Sequence, residues 1–457
     1  AMKRNVMILA AGKSKRMKSK TGKFLHPVMG QPVIRYVVEM SELLGSEKTV
    51  VVVNNDSEPV KQALRDKQLE YAVQDPQLGT GHAVMCGVDL LEGGSTLILL
   101  GDAPCIRQET LKEMFEAHER EQADLTVLSV NHSNPYNYGR ILREGEQVVA
   151  IREHRDCTPE QLEISEINSG VFLLNTDRLK EYLPKLTNDN AQQEYYITDL
   201  IELMNQAGLR VRAHVIDDES EVIGINNRSQ LWEVTQTMQQ RINHHWMVEG
   251  VTMIQPDSIF IDAQVELNPD VTLYPGTHLR GKTMIAEDAI IGPNAILTNC
   301  QIGQRSLVEN STLKDSIVGQ DTTVGPYAYM RPGSVVGNHV KVGDFVELKN
   351  AKIGHNTKIS HLSYVGDGEV GDNVNIGCGV VFVNYDGLKK HRTIIEDNAF
   401  IGCNVNLIAP VEVGRGAYVA AGTTVTGNVP AEGLAIGRAR QENKPGWAKG
   451  KNKAAKE

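Results

Sequence analysis

Two rhythms of apolar residues divide the chain. In the first, running to about residue 227, short unbroken apolar runs alternate with stretches where apolar residues recur every three or four positions. Val6 to Ala11, Thr49 to Val53, Thr96 to Leu100 and Leu125 to Val130 have the length of buried strands. Pro32 to Leu44, Ala83 to Leu91, Glu109 to His118 and Ile197 to Ala207 carry helical spacing. The first of these helices stops at Gly45, a residue suited to end one. Such alternation predicts a layered α/β domain whose ligands bind beyond the carboxyl ends of its strands.

Arg228 to Val248 keeps helical spacing through Leu231, Val234, Met238, Ile242 and Trp246 without a breaker, so one long helix is expected to lead into the second rhythm. From about Gly250 aliphatics recur every six residues. Val318, Val324, Met330, Val336, Val342 and Leu348 keep phase, and so do Ile395, Ile401, Leu407, Val413, Val419 and Val425. A period of six fits neither an α-helix nor a simple hairpin. It suits a solenoid of short strands that turn a corner after each, with one aliphatic per side pointing inward. Between Phe382 and Ile395 the period lapses over a polar stretch, Val383 to Arg392. A polar insertion thrown out of a regular coil is where function tends to reside.

Composition narrows the classes. At 457 residues, 41% hydrophobic and 23% charged, the chain reads as two or three ordinary globular domains. No apolar stretch nears the roughly 20 residues of a membrane span, and Val6 to Ala11 is too short for a signal-peptide core. A cytoplasmic protein with no membrane insertion is expected. The six cysteines lie far apart without a C-x-x-C, so free thiols are the expectation. Aromatic residues are 5%, and the basic clusters lack interleaved rings, which speaks against a nucleic-acid partner.

Charge then locates candidate chemistry. The net charge is -10, yet the first 26 residues hold eight Lys or Arg and no acid. There the run Leu9-Ala10-Ala11 breaks at Gly12 into Lys13-Ser14-Lys15-Arg16-Met17, followed by Lys23, so amides and cations converge where a phosphate would sit. Asp102, in Gly101-Asp102-Ala103-Pro104 after an apolar run, suits either a divalent cation against phosphate oxygens or the cap of a turn. Gln74 and the run Gln77 to His82 offer amide groups and glycines that would match the edge of a base; the same run reads as a helix start capped by Thr80.

The pattern L-A-A-G-x-x-x-R-M with a lysine seven residues later resembles the signature of sugar-1-phosphate nucleotidyltransferases. Together with the six-residue period, the chain resembles the bacterial family of bifunctional N-acetylglucosamine-1-phosphate uridylyltransferase/glucosamine-1-phosphate acetyltransferases. The resemblance implies an α/β protein with a Rossmann-like nucleotidyltransferase domain over 1–227, a linker helix over 228–249, and a left-handed parallel β-helix over 250–457 that assembles as a homotrimer. It implies UTP and acetyl-CoA as substrates, and Mg²⁺ held by Asp102 and Asn226. Leu9, Ala10, Ala11, Gly12, Gln74, Gly79 and Thr80 match nucleotide-binding positions; Gly139, Glu153 and Asn168 match those that recognise N-acetylglucosamine; Arg16 and Lys23 match catalytic cations.

In the second half, the resemblance assigns Arg331, Lys349, Tyr364, Asn375 and Lys390 to glucosamine phosphate. Cys378, Asn384, Tyr385, Cys403, Ala421 and Arg438 go to acetyl-CoA. Amine acetylation needs a proton acceptor, a role matched by His361, with Glu347 expected to orient its ring. The tail Arg438 to Glu457, with seven Lys or Arg against two Glu, suits CoA phosphates or a solvated end. Two departures stand out. Ser14-Lys15 replaces the family's Gly-Thr, and Gln193 replaces a glycine before Glu194; a Cβ at Ser14 is expected to hinder a positive-φ turn or the approach of a triphosphate. Two other readings share the same domains: a single-activity sugar nucleotidyltransferase with a structural or regulatory β-helix, and a non-catalytic scaffold.

Overall fold

The computed structural model describes residues 3–451; Lys453, Lys456 and Glu457 of the basic tail lie outside the described residues. The chain forms two compact units, Ala1–Arg241 and Ile242–Glu457, and passes from one to the other within the helix Arg228–Val248.

In the first unit, the strand Arg4–Ala10 is the centre of a sheet. Alternate side chains serve opposite cores: Val6, Ile8 and Ala10 pack with Ile34, Val38, Leu111 and Phe115, while Met7, Leu9 and Ala11 pack with Val84, Ile98 and Phe172. Burial on both faces is why the run is apolar without alternation. Strands beginning at Val211, Leu125, Glu166, Ser95, Arg4, Lys48 and Glu70 lie side by side in that order. Arg4–Ala10 pairs in parallel with Lys48–Val53 and Ser95–Leu100, and Glu166–Asn175 runs antiparallel to Ser95–Leu100. The ends of Arg4–Ala10 and Ser95–Leu100 and the start of Glu166–Asn175 therefore open on one edge of the sheet.

The expected helices form at Val33–Leu43, Thr80–Gly87, Gln108–Arg120 and Asp199–Gln206. The second begins before Ala83, and its cap is not Thr80. Gly79 occupies the N-cap with φ +106°, where a Cβ would come 2.6 Å from the Tyr195 carbonyl oxygen. Thr80 instead uses its hydroxyl oxygen to accept a hydrogen bond from the Ile197 amide at 3.1 Å.

In the second unit, three parallel sheets of 11, 10 and 9 strands face one another among the described residues, and successive strands of each sheet come from successive coils. This is a left-handed parallel β-helix of hexapeptide repeats. All twelve aliphatics of the six-residue series are buried inside it. Each contributes about 1.5–3 kcal/mol of burial, so the series is the fold's main support. Corners are turned by left-handed residues, many of them Asn or Asp, whose short polar side chains tolerate that conformation. The polar insertion leaves the coil as a small hairpin closed by an antiparallel bridge between Tyr385 and Lys390, and the ladder resumes at Thr393–Ile395.

Candidate active sites

The open edge of the first unit's sheet frames a cavity of about 1180 Å³. Leu9, Ala11, Gly12, Arg16 and Lys23 form one wall; Gln74, Gly79 and Thr80 another; Gly139, Glu153 and Asn168 a third; Asp102 and Asn226 close the ring. Ala10 does not reach it, because strand alternation turns its side chain into the opposite core.

Three of the expected residues meet. The Lys23 ammonium pairs with the Asp102 carboxylate and donates to Asn226 Oδ1 at 3.1 Å. Backbone places them: Gly101 N–H donates to Leu9 O at 2.8 Å, fixing Asp102 beside the basic loop, and Ile225 N–H donates to Asp102 O at 2.9 Å, bringing Asn226 alongside. Among the described residues no three His, Cys, Asp or Glu side chains form a metal cage. One carboxylate and one amide oxygen converging on a cationic group are nonetheless a donor set that fits Mg²⁺, which keeps most of its waters and takes one or two protein ligands.

Ser14 corrects the first part of the expectation set for it, the positive-φ turn. Its φ is -74°, so no positive-φ turn exists for its Cβ to hinder, and its hydroxyl oxygen accepts from the Lys23 amide at 2.8 Å. The side chain fastens the loop. Gln193, in contrast, does sit at φ +54°, which explains why glycine suits that position. Deeper in the cavity, Glu153 accepts from the Thr198 hydroxyl at 3.0 Å. Burial pushes its carboxyl up, against that hydrogen bond. Gln74 is held by its own amide, which donates to Gly79 O at 3.0 Å and meets His82 Nδ1 at 3.0 Å.

In the second unit, register turns scattered sequence positions into a column. Asp344 pairs with His361 across adjacent coils; Ile359, Ile376, Ile401 and Val419 pair in turn, so His361, Cys378, Cys403 and Ala421 follow one another along one corner. Asn375, Cys403 and Ala421 line a groove of about 300 Å³ that includes Gly377, Gly402 and Tyr418, and the Arg438 guanidinium donates to Ala421 O. Asn375, which the resemblance assigns to glucosamine phosphate, thus shares a groove with two residues assigned to acetyl-CoA.

A second cluster forms at the base of the hairpin. Lys349 Nζ lies 3.1 Å from Asp367 Oδ2, Asn350 donates to Asp367 Oδ1 at 3.0 Å, and Asn384 donates to Asp367 Oδ2 at 2.7 Å and to Tyr364 Oη at 3.3 Å. Burial pushes the Asp367 carboxyl up, but hydrogen bonds from Asn350, Asn384 and Lys349 outweigh it and hold the group below the usual carboxylate range. Arg331, one coil before Lys349 in the same column, presents a second cation. Gly366 admits no side chain here, since a Cβ would come 2.6 Å from the Asn384 amide nitrogen. Out in the hairpin, Lys390 Nζ lies over the Tyr385 ring, 5.3 Å from its centroid.

Two acids of these clusters escaped the sequence reading. His361 Nδ1 lies 2.8 Å from Asp344 Oδ1, so the carboxylate at the ring is Asp344 and not Glu347, which pairs instead with Tyr364. Asp367 is the hub of the Lys349 cluster. Asp344 lies 17 residues before His361 and Asp367 lies 17 residues before Asn384, so stepping back one coil from identified positions would have found both.

Three family matches cover different parts of the chain. Residues 6–184 match the MobA-like NTP transferase domain, 254–365 the GMPPB C-terminal domain, and 392–427 the bacterial transferase hexapeptide family with six repeats. Curated relatives match along nearly the whole length. The "Bifunctional protein GlmU" of Acetivibrio thermocellus is 49% identical over 444 residues, covering 96% of each chain. Its namesake in Clostridioides difficile is 47% identical over 448 residues, covering 98% of this chain and 97% of the relative. That of Clostridium botulinum strain 657 is 47% identical over 444 residues, covering 96% and 97%.

Proposed function

The chain belongs to the family of bifunctional GlmU proteins, and we propose that its two units divide the family's two reactions between the residues described above. It is a bifunctional enzyme of UDP-N-acetylglucosamine synthesis, with an acetyltransferase and a uridylyltransferase activity. Acetyl passes from acetyl-CoA to glucosamine 1-phosphate; N-acetylglucosamine 1-phosphate then reacts with UTP and releases pyrophosphate.

For acetyl transfer, the amine nitrogen attacks the thioester carbonyl carbon, the new C–N bond forms and the C–S bond breaks. His361 Nε2 takes the proton that the amine loses and returns it to the departing CoA thiolate, which leaves as a thiol. Arg331 and Lys349 hold the sugar phosphate, and the Asp367 network keeps Lys349 and Asn384 in place. Cys378, Cys403, Ala421 and Arg438 run alongside acetyl-CoA.

For uridylyl transfer, an oxygen of the sugar phosphate attacks the α-phosphorus of UTP, and the bond to pyrophosphate breaks. Gly12, Arg16 and Lys23 receive the phosphates and offset their growing charge. Asp102 and Asn226 would hold Mg²⁺, which when bound neutralises phosphate oxygens. Gln74 and Gly79 face the uracil, and Gly139, Glu153 and Asn168 face the N-acetylglucosamine ring. We place the enzyme in the cytoplasm as a homotrimer joined through the β-helix.

The observation that carries the two-activity reading is that the β-helix holds both a His361–Asp344 pair and a Lys349–Asp367–Asn384 cluster, because a β-helix serving only assembly needs neither. Acetyl-CoA-dependent thiol release and UTP-dependent pyrophosphate release are to be measured separately. His361→Ala is expected to abolish the first and spare the second, and Asp102→Ala the reverse. Full pyrophosphate release by Asp102→Ala would remove Asp102 as a metal ligand. Sedimentation at three times the chain mass checks the trimer.

A further inference from the structure

The chemistry proposed for His361 demands one tautomer, and the structure supplies a reason for it. His361 is exposed, on the strand Lys358–His361, and its neighbour in register is Asp344 at the end of Lys341–Asp344. His361 Nδ1 and Asp344 Oδ1 lie 2.8 Å apart. An ionised carboxylate can only accept a hydrogen bond, so in this pair the proton belongs to Nδ1 and the lone pair to Nε2. The hydrogen bond from His361 holds the Asp344 carboxyl below the usual carboxylate range, helped more weakly by Lys341. The remaining charged groups on these two strands are Lys341 and Lys358, three residues before Asp344 and His361 respectively; Glu347 belongs to the next face.

We infer that Asp344 is a positioning residue for acetyl transfer: it fixes the ring of His361 and the Nδ1–H tautomer, so that Nε2 is presented as the proton acceptor. This rests on the acetyl-transfer reading above. Asp344 touches neither substrate; it acts through the histidine. Loss of such an orienting carboxylate leaves the base present but wrongly protonated or wrongly aimed for much of the time, which lowers turnover and not binding.

The test uses the full chain and compares Asp344→Ala, Asp344→Asn, His361→Ala and the double variant Asp344→Ala/His361→Ala. For Asp344→Ala, kcat of thiol release is expected to fall about 10- to 100-fold while both KM values stay within about two-fold. A circular-dichroism spectrum and sedimentation coefficient unchanged from those of the unaltered chain certify that the β-helix is folded, since pyrophosphate release reports on the other unit. Asp344→Asn retains an oxygen acceptor for Nδ1–H and is expected to recover part of the lost kcat. In the double variant the residual rate should equal that of His361→Ala, because two residues acting as one unit are not additive. The inference is overturned if Asp344→Ala keeps kcat within two-fold, if its loss lies in KM, or if the two losses multiply. Absence of thiol release from the unaltered chain would instead sink the acetyl-transfer reading itself.

Discussion

Asp199 begins the helix Asp199–Gln206 half-buried, and burial, only partly offset by Arg152, pushes its carboxyl up to about 6. A carboxyl that binds its proton more tightly when folded adds stability below the unfolded value, and that contribution is lost as pH rises through about 6. Asp199→Asn is therefore expected to be neutral near pH 4 and, after allowance for solvent screening, stabilising by about 1–2 kcal/mol at pH 7.5, read from urea midpoints at the two pH values. Gln193, at φ +54°, makes a second residue-scale prediction. Gln193→Gly should leave the midpoint unchanged or raise it, whereas Gln193→Val should cost about 1–2 kcal/mol. Single residues were also where sequence reading was weakest. The role of Ser14 depends on its φ and on the Lys23 amide, and the partner of His361 depends on which residue lies one coil away; neither is written in local spacing.

Elements were more legible, because burial imposes a period. The strands of the first unit read as unbroken apolar runs since both faces are covered, and the coil reads as a six-residue series since each side buries one aliphatic. Leu407→Ala, inside the coil and fully buried, is expected to cost about 2–5 kcal/mol in chemical denaturation. The hairpin that interrupts the series behaves differently. Tyr385 to Lys390 lie outside the ladder and are exposed, so replacing them with a short glycine-serine loop should change stability by less than about 0.5 kcal/mol. The same replacement should abolish thiol release, since it removes the hairpin that Asn384 anchors to Asp367. Helix starts resisted the reading more than strands did: Gly79 caps where Thr80 was expected, because packing against Tyr195 leaves no room for a Cβ.

At the scale of the molecule, two halves with unlike periods carry two unlike sites, and that division was visible in the sequence before any contact was known. The chemistry needs no group shared between the halves. A mixture of His361→Ala and Asp102→Ala chains should accordingly make UDP-N-acetylglucosamine from glucosamine 1-phosphate, each variant performing the step the other has lost; chromatography of the nucleotide product checks this, and failure would mean that the intermediate does not travel through solution. The columnar register has one more implication, for how such a protein can change. Residues of the proposed acetyl site keep company only because each is one lap of the spiral from the next, as Asp344 is from His361. Whole laps can be duplicated or deleted beyond the site without separating its members. A single amino acid gained or lost inside a strand would throw the upper part of the site out of step with the lower, whereas laps of 18 and 17 residues already follow one another in register, so length variation among descendants should come in full turns or be confined to corners.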